Sequence, residues 1–145
     1  GWADAEAFGA RLGRFRRVRF VHSPVRRCAQ TVEGIARGAA AVGVAVEVLG
    51  AHEALGIAYI RDRARAGRLS AEHGDHFVRL WFEGRVPADV VAPPRELAEQ
   101  KLDFVRAHWR SAGPGTLDLH VSHDWNVIAL REHWTGVRHE EAGWL

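Results

Sequence analysis

The sequence predicts an α/β fold in which helices cover both faces of a mainly parallel sheet. Three short stretches have the composition and alternation of strands: Val18–Val21, Val44–Leu49 and Leu117–Val121. Long helical patterns separate them, so the connections between strands are crossovers. Because crossovers join parallel strands and place helices on the faces of the sheet, we expect a three-layer arrangement.

The helix after the first strand has a clear start. Ser23 is a typical N-cap residue and Pro24 a typical first helical residue. From there to Ala36 the apolar residues follow one helical stripe, and Gly38 is the expected stop. The sequence therefore predicts a helix over Pro24–Ala36.

A second clear helix is predicted over Pro94–Trp109. Its expected buried stripe consists of Ala98, Leu102, Val105 and Trp109, and Gly113 follows as a stop. The other expected helices are Ala3–Leu12, Ala54–Ala66, His76–Phe82 and about Trp125–Trp134.

Composition predicts a single globular domain over residues 1–145, with 47 % hydrophobic and 26 % charged residues. A formal net charge of only +2 and scattered arginines argue against nucleic acid as a partner. We see neither a membrane-spanning run nor a signal peptide, and we expect no membrane partner and a cytoplasmic location. Cys28 is the only cysteine, so no intrachain disulfide can form.

The ends of the sequence suggest truncation. It begins at Gly1 and contains no methionine, and it stops in the apolar stretch "EEAGWL". We therefore expect that a segment is missing before Gly1, and a cut at the other end is also plausible.

The stretch "HSPVRRCAQT" places Arg26 and Arg27 in the first turn of the predicted helix. Positive charge there opposes the helix macrodipole, at about 0.3–1 kcal/mol for each residue. A bound phosphate, sulfate or carboxylate would reverse this, because free N–H groups and guanidinium groups would face it together. The alternative is that both arginines are simply solvated.

A second polar cluster, Ser122-His123-Asp124, directly follows the third predicted strand. A histidine at the carboxyl end of a strand can donate to an oxyanion or move a proton, and the adjacent carboxylate can act as a general acid. Alternatively, Asp124 or Ser122 only caps the next helix, and His123 is an ordinary hydrogen-bonded histidine beneath a loop.

Taken together, the two clusters resemble the histidine phosphatase superfamily, whose fold is phosphoglycerate mutase-like. The first is similar to the family motif Ser-Pro-x-x-Arg-x-x-Gln-Thr-Ala, with Val32 in place of the alanine, and "VSHDWNVIAL" resembles the late Ser/Gly-His-Asp motif. "GWADAEAFGARLG" is similar to the family's first helix. The positions that match the first motif are Ser23, Pro24, Arg27, Gln30 and Thr31.

The resemblance implies hydrolysis of a small-molecule phosphomonoester through a phosphohistidine, with no cofactor. Arg27, with Ser23 and His123, would bind the phosphoryl group, and His123 would also stabilise it during transfer. Asp124 would protonate the leaving oxygen, with Glu53 as the alternative donor. The remaining candidates for substrate contact are Arg26 and His22.

The family's Arg-His-Gly motif, which carries the nucleophilic histidine, does not occur in residues 1–145. The resemblance places it before the first helix, so we expect the nucleophile upstream of Gly1. Two other functions remain open: a non-catalytic relative that binds a phosphorylated ligand, and a phosphomutase.

The variable segment of about residues 51–93 is expected to form a cap that selects the substrate. This segment contains "EHGDH", with His73, Asp75 and His76. Their spacing matches no standard zinc site, so we expect an exposed polar loop rather than a metal site. A homodimer is possible on this interpretation.

Overall fold

A computed structural model describes residues 1–142, which fall into two compact units. The first unit comprises residues 1–56 and 104–123, and the second comprises residues 57–103 and the chain from Asp124 onward. The second unit contains residues 57–93 of the segment expected to form a cap, and adds residues 94–103 and the last helix. Within the described residues, no helix combines the length and the apolarity needed to cross a bilayer.

A three-stranded parallel sheet forms the centre of the first unit. Its strands are β1 (Arg17–His22), β2 (Ala45–Ala51) and β3 (Thr116–Val121), in the order β2-β1-β3. His22 at the end of β1 lies in register with Ala51 on one side and Val121 on the other. The predicted strands and their parallel pairing are confirmed, and the three carboxyl ends meet at one edge of the sheet.

Two helices, α1 (Trp2–Ala10) and α2 (Arg26–Ala41), cover one face of the sheet. They pack at very close range through glycines. A Cβ at Gly38 would lie 2.0 Å from the carbonyl oxygen of Glu6, and one at Gly9 would lie 2.0 Å from that of Ile35. The prediction that Gly38 ends the helix is therefore wrong: this glycine lies inside α2 because a side chain there would collide with α1.

The predicted N-cap of α2 is also wrong. The helix begins at Arg26, and Val25 is the N-cap without a side-chain hydrogen bond. The Ser23 hydroxyl accepts instead from the Val25 N–H at 3.2 Å, which closes a tight turn before the helix. Ser23 is fully buried and has another partner, described below, so it is not available as a helix cap.

The other face of the sheet packs against the C-terminal half of α5 (Pro94–Ser111). Arg19 on β1 forms a bidentate ion pair with Asp118 on β3, with distances of 2.6 and 2.8 Å. The same guanidinium donates to the His108 carbonyl oxygen of α5 at 3.0 Å. Both charged side chains are mostly buried, so this pair fixes two strands and one helix together.

The buried stripe predicted for α5 is partly wrong. Ala98 is fully buried, as expected, but Trp109 is 71 % exposed. In the first unit, α5 instead places Phe104 and His108 against the His120 ring of β3, with centroid distances of 5.3 Å in both cases. The side of α5 that meets the sheet in this unit is therefore the one that carries Phe104 and His108, and Trp109 lies outside it.

The second unit is helical and has its own aromatic core. Trp81 is 1 % exposed and Phe77 2 % exposed, and the indole N–H of Trp81 donates to the Ala92 carbonyl oxygen at 2.7 Å. The single bridge in the described part of this unit joins Ile60 to Val91. Its helices are α3 (Arg63–His73), α4 (His76–Phe82), the first part of α5, α6 (Asp124–Thr135) and a 3₁₀ helix (His139–Ala142).

The predicted helix over Ala54–Ala66 is wrong. Residues Glu53–Leu55 form one 3₁₀ turn in the first unit, and α3 begins only at Arg63. Asp62 sets this start, because its carboxylate accepts from the Arg65 N–H at 3.0 Å as an N-cap. The helix ends at His73, and the C-cap residue Gly74 has a φ of +52°, which suits glycine.

Candidate functional site

The candidate site lies at the carboxyl edge of the sheet in the first unit, where β1 and β3 end side by side. Each strand continues directly into polar residues: Ser23 follows β1, and Ser122 and His123 follow β3. The Ser23 N–H donates to the Val121 carbonyl oxygen at 2.9 Å and so continues the strand pairing by one residue. Residues that are 100 positions apart in the chain are thereby brought into contact.

His123 is the centre of this cluster and is 5 % exposed. An Nη2 hydrogen of Arg27 donates to its Nδ1 atom at 2.9 Å, and its Nε2 atom lies 2.8 Å from the Ser23 hydroxyl oxygen. A guanidinium group can only donate, so Nδ1 must be the unprotonated ring nitrogen. His123 is therefore the neutral Nε2–H tautomer here and donates to Ser23.

Arg27 approaches the cluster from the first turn of α2, where the helix has unpaired N–H groups. Its side chain is exposed, and among the described residues no carboxylate forms an ion pair with it. Together with Gln30 and Thr31, Arg27 lines a cavity of about 720 Å³ that is bounded by α1 and by Leu119 of β3. The guanidinium group is thus the accessible cation of the cluster, above a buried imidazole.

Cys28 adjoins the same cluster and is 3 % exposed. Burial raises the pKa of its thiol, while the hydrogen bond with Ser23 and the charge of Arg27 act in the opposite direction. The sulfur donates weakly to the Ser122 carbonyl oxygen at 3.6 Å. A buried thiol with a raised pKa is a packing residue and not an activated nucleophile.

Glu53, the alternative proton donor, lies in the 3₁₀ turn after β2, and this turn is fixed to the cluster by two contacts. The Ser122 hydroxyl donates to the Leu55 carbonyl oxygen at 2.8 Å. Gly56 lies beside the Ser-Pro loop: a Cβ there would be in ordinary van der Waals contact with Pro24 Cδ, at 3.5 Å, and with the Glu53 carboxylate, at 3.6 Å. The turn that carries Glu53 thus belongs to the same edge of the sheet as His123.

Asp124, the favoured proton donor, is the first residue of α6 and belongs to the second unit. Its side chain is exposed, and its Oδ1 atom accepts from the Trp125 N–H at 2.9 Å. This is the helix-terminal role that the sequence offered as an alternative for Asp124. The prediction that Asp124 acts as a general acid stays a prediction.

The two candidate substrate contacts have different surroundings. His22 is half-buried at the end of β1, and its Nδ1–H donates to the Ser23 carbonyl oxygen at 2.8 Å. Arg26 is exposed, with no hydrogen bond or ion pair to any described residue. Its side chain is the unengaged one of the two adjacent arginines.

The acid and histidines around residue 75 form no metal site in the described chain. His73 ends α3, Asp75 is the N-cap of α4 and His76 is its first residue. Within residues 1–142, no group of three or more His, Cys, Asp or Glu side chains is placed to hold a metal ion. Asp75 and His76 are exposed, as expected, but the loop is only a two-residue turn between α3 and α4.

Sequence reasoning missed one feature of the site, the link from Ser122 to Leu55. The position of Ser122 directly before His123 was the available signal, but the carbonyl that it binds is 67 residues away. The polar cluster of His108 and His120 on the opposite face of the sheet was missed as well. Only the pairing of strands from distant parts of the chain places these groups together.

Comparison with known proteins gives no relative. No family model matches the chain, and neither a curated protein nor a solved structure is significantly similar to it. The site is therefore interpreted from its own geometry and from the motifs of the sequence.

Proposed function

We propose that the first unit binds the phosphoryl group of a small phosphomonoester and that the protein hydrolyses this ester through a phosphohistidine. The observation that carries the proposal is the hydrogen-bonded cluster of Ser23, Arg27 and His123 at the carboxyl ends of adjacent parallel strands. In α/β proteins this edge of the sheet is where ligands bind. On this proposal the fold is phosphoglycerate mutase-like.

Arg27 is the proposed phosphate ligand. It is accessible, it has no acidic partner among the described residues, and it stands at a helix start where an anion is stabilised by the unpaired N–H groups. Its planar guanidinium group can bind two phosphoryl oxygens at once. A bound anion would offset the positive charge of Arg27, which is otherwise unfavourable at the start of a helix.

His123 is proposed to stabilise the phosphoryl group as it is transferred. When a phosphoryl oxygen replaces Nδ1 as the acceptor of Arg27, the freed Nδ1 takes up a proton and donates to the same group. Ser23 is the positioning residue, because its contact with Nε2 holds the imidazole ring in place. His123 would thus change from a neutral acceptor to a cationic donor on substrate binding.

The covalent step requires a nucleophile and an acid. The phosphorus leaves the ester oxygen for a histidine nitrogen, the leaving oxygen takes a proton from a carboxylic acid, and water then releases phosphate. We assign the nucleophile to the histidine of an Arg-His-Gly motif outside residues 1–145. We assign the proton donor to Asp124, with Glu53 as the alternative.

Hydrolysis of p-nitrophenyl phosphate by the native gene product tests the proposal. We expect Arg27→Ala and His123→Ala each to lower kcat/KM by about 100-fold or more, because each removes a charge-stabilising contact. Arg26→Ala is the comparison variant: it removes an arginine that forms no hydrogen bond or ion pair with any described residue, so it should lower kcat/KM less than Arg27→Ala does. Unchanged hydrolysis in both site variants contradicts the assignment.

A second candidate function is binding of a phosphorylated ligand without turnover. One observation favours it: the cluster of Ser23, Arg27 and His123 offers an accessible cation beside a buried imidazole, and holding an anion there requires no nucleophile. Saturable phosphate binding that depends on Arg27, together with no hydrolysis by the native gene product, would support this function over the enzyme.

A further inference from the structure

Two neighbouring cavities of the second unit share one wall, formed by Ser70, Phe77 and Trp125. The larger has a volume of about 490 Å³ and extends past Asp75. The smaller, of about 280 Å³, extends past Arg63 and Gly67 of α3. We call the two together the α3–α4 cleft. Its size is that of a small-molecule site.

The shared wall is aromatic and rigid. Trp125 is half-buried and lies 5.6 Å from Phe77 and 5.3 Å from Trp81 between ring centroids. Trp81 is in turn fixed by its hydrogen bond to the Ala92 carbonyl oxygen. Trp125 therefore rests on an ordered aromatic layer and presents a flat apolar surface to the cleft, which suits a planar ring.

Arg63 gives the cleft a free positive charge. Two nearby arginines are paired, Arg61 with Glu96 and Arg65 with Asp89. Arg63 is exposed and forms no hydrogen bond or ion pair with any residue that the structure describes. Because Asp75 lies in the other cavity, the cleft favours an anionic group at the Arg63 end only.

Gly67 is the third feature of the α3–α4 cleft, after the aromatic wall and Arg63. A glycine inside a helix costs about 0.5–1 kcal/mol relative to alanine. Nothing in the described structure requires it: its φ is not positive, and a Cβ added there meets no atom within 4 Å. This contrasts with Gly9 and Gly38, where a helix fills the space. The open space beside Gly67 belongs to the cleft, so a ligand can lie directly against the backbone of α3.

We propose that the α3–α4 cleft is a binding site for a small aromatic carboxylate. The ring packs on Trp125, which Phe77 supports from behind, its edge passes over Gly67, and the carboxylate binds the guanidinium group of Arg63. The site uses residues of the second unit only, so it stands whether or not the first unit hydrolyses phosphomonoesters.

Fluorine NMR of para-fluorobenzoate with the full chain tests the site. We expect saturable broadening of the fluorine signal below about 10 mM ligand, as for a weak aromatic fragment. Unlabelled benzoate should compete, and para-fluorobenzylamine should not bind. No saturable change for para-fluorobenzoate, or equal binding of the amine, overturns the proposal.

Three variants locate the site. Arg63→Gln should weaken para-fluorobenzoate binding by about 10-fold, the loss of one charge-assisted contact, and leave the neutral para-fluorobenzamide unaffected. Arg68→Gln, an exposed arginine of the same helix that lines neither cavity, should bind as the parent does. Equal carboxylate affinity in Arg63→Gln and the parent contradicts the assignment.

Gly67→Leu should abolish binding by filling the space beside α3. Because the substitution adds a side chain where no atom lies nearby, we expect the protein to fold with an unchanged or higher thermal midpoint. Gly67→Ala should reduce binding to an intermediate extent. A folded Gly67→Leu variant that binds para-fluorobenzoate normally overturns the proposal.

Discussion

The Nδ1 atom of His123 accepts a hydrogen bond from Arg27 at 2.9 Å, across 96 residues of sequence. This contact assigns the tautomer of the histidine, because the arginine has no lone pair to offer. It also means that an anion competes with the imidazole for the same guanidinium group. On the proposed function, a phosphoryl group that binds Arg27 would therefore replace this hydrogen bond to His123.

Substitution of the two adjacent arginines should separate their roles. We expect Arg27→Ala to weaken the binding of inorganic phosphate by about 10-fold or more, whereas Arg26→Ala changes it less than about 3-fold. Isothermal titration calorimetry at fixed ionic strength measures both. Equal losses in the two variants would show that they act only through general positive charge.

Gly38→Ala should destabilise the first unit by roughly 1–3 kcal/mol, because the new Cβ collides with the backbone of α1 and forces the helices apart. Gly67→Ala is the matched control, a helical glycine with open space around it, and should stabilise by about 0.5–1 kcal/mol. Urea unfolding curves measure both. The same sign for the two substitutions would refute the close-packing explanation.

Lys101 should make stability rise with pH in the alkaline range. It is 6 % exposed, and burial lowers the pKa of its ammonium group from 10.5 to about 8. The unfolded chain therefore binds this proton more tightly than the folded protein does. As the pH rises from about 8 to 10.5, the free energy of unfolding increases. The gain is at most about 3 kcal/mol.

Comparison of the parent with Lys101→Met isolates this effect. The methionine variant lacks the group that titrates, so its unfolding free energy should gain less between about pH 8 and pH 10. Urea unfolding at several pH values measures the difference. Parallel pH profiles for the two proteins would contradict the prediction.

His120 should make the first unit sensitive to acid. Burial, and next the neighbouring His108, lower the pKa of its imidazole below 6.5; Asp118 opposes the shift and Arg19 adds to it. The unfolded state then binds the proton more tightly, and stability decreases as the pH falls below 6.5. His120→Phe should reduce this loss, and the exposed His76→Phe should not, as measured by thermal midpoints between neutral and acidic pH.

Much of the fold follows from local patterns in the sequence. The three strands, the helix over His76–Phe82 and the start of α5 at Pro94 were all predictable, because alternation, apolar stripes and proline act over a few residues. The same short range explains why Gly38 was wrongly predicted to end α2. A glycine as a helix stop and a glycine as a helix contact look alike until the partner helix is known.

The sequence indicated which residues form the hydrogen-bonded cluster, but it did not predict how they contact one another. Two strand-to-helix junctions indicated Ser23, Arg27 and His123, and the parallel sheet brings these together. The exact partners were not predictable: Ser23 holds the imidazole instead of capping α2, and Ser122 ties down the turn that carries Glu53. Such contacts depend on atoms 67 to 100 residues apart in the chain.

The sequence by itself determined the α/β class, the parallel strands and the presence of two arginines at a helix start. Tertiary structure decided which arginine meets a histidine, which tautomer that histidine adopts, and which glycines are required by a neighbouring helix. The physical reason is the distance along the sequence over which each interaction acts. Periodicity and capping depend on residues within one or two helical turns, whereas hydrogen bonds and steric contacts between strands and helices exist only after distant segments have packed.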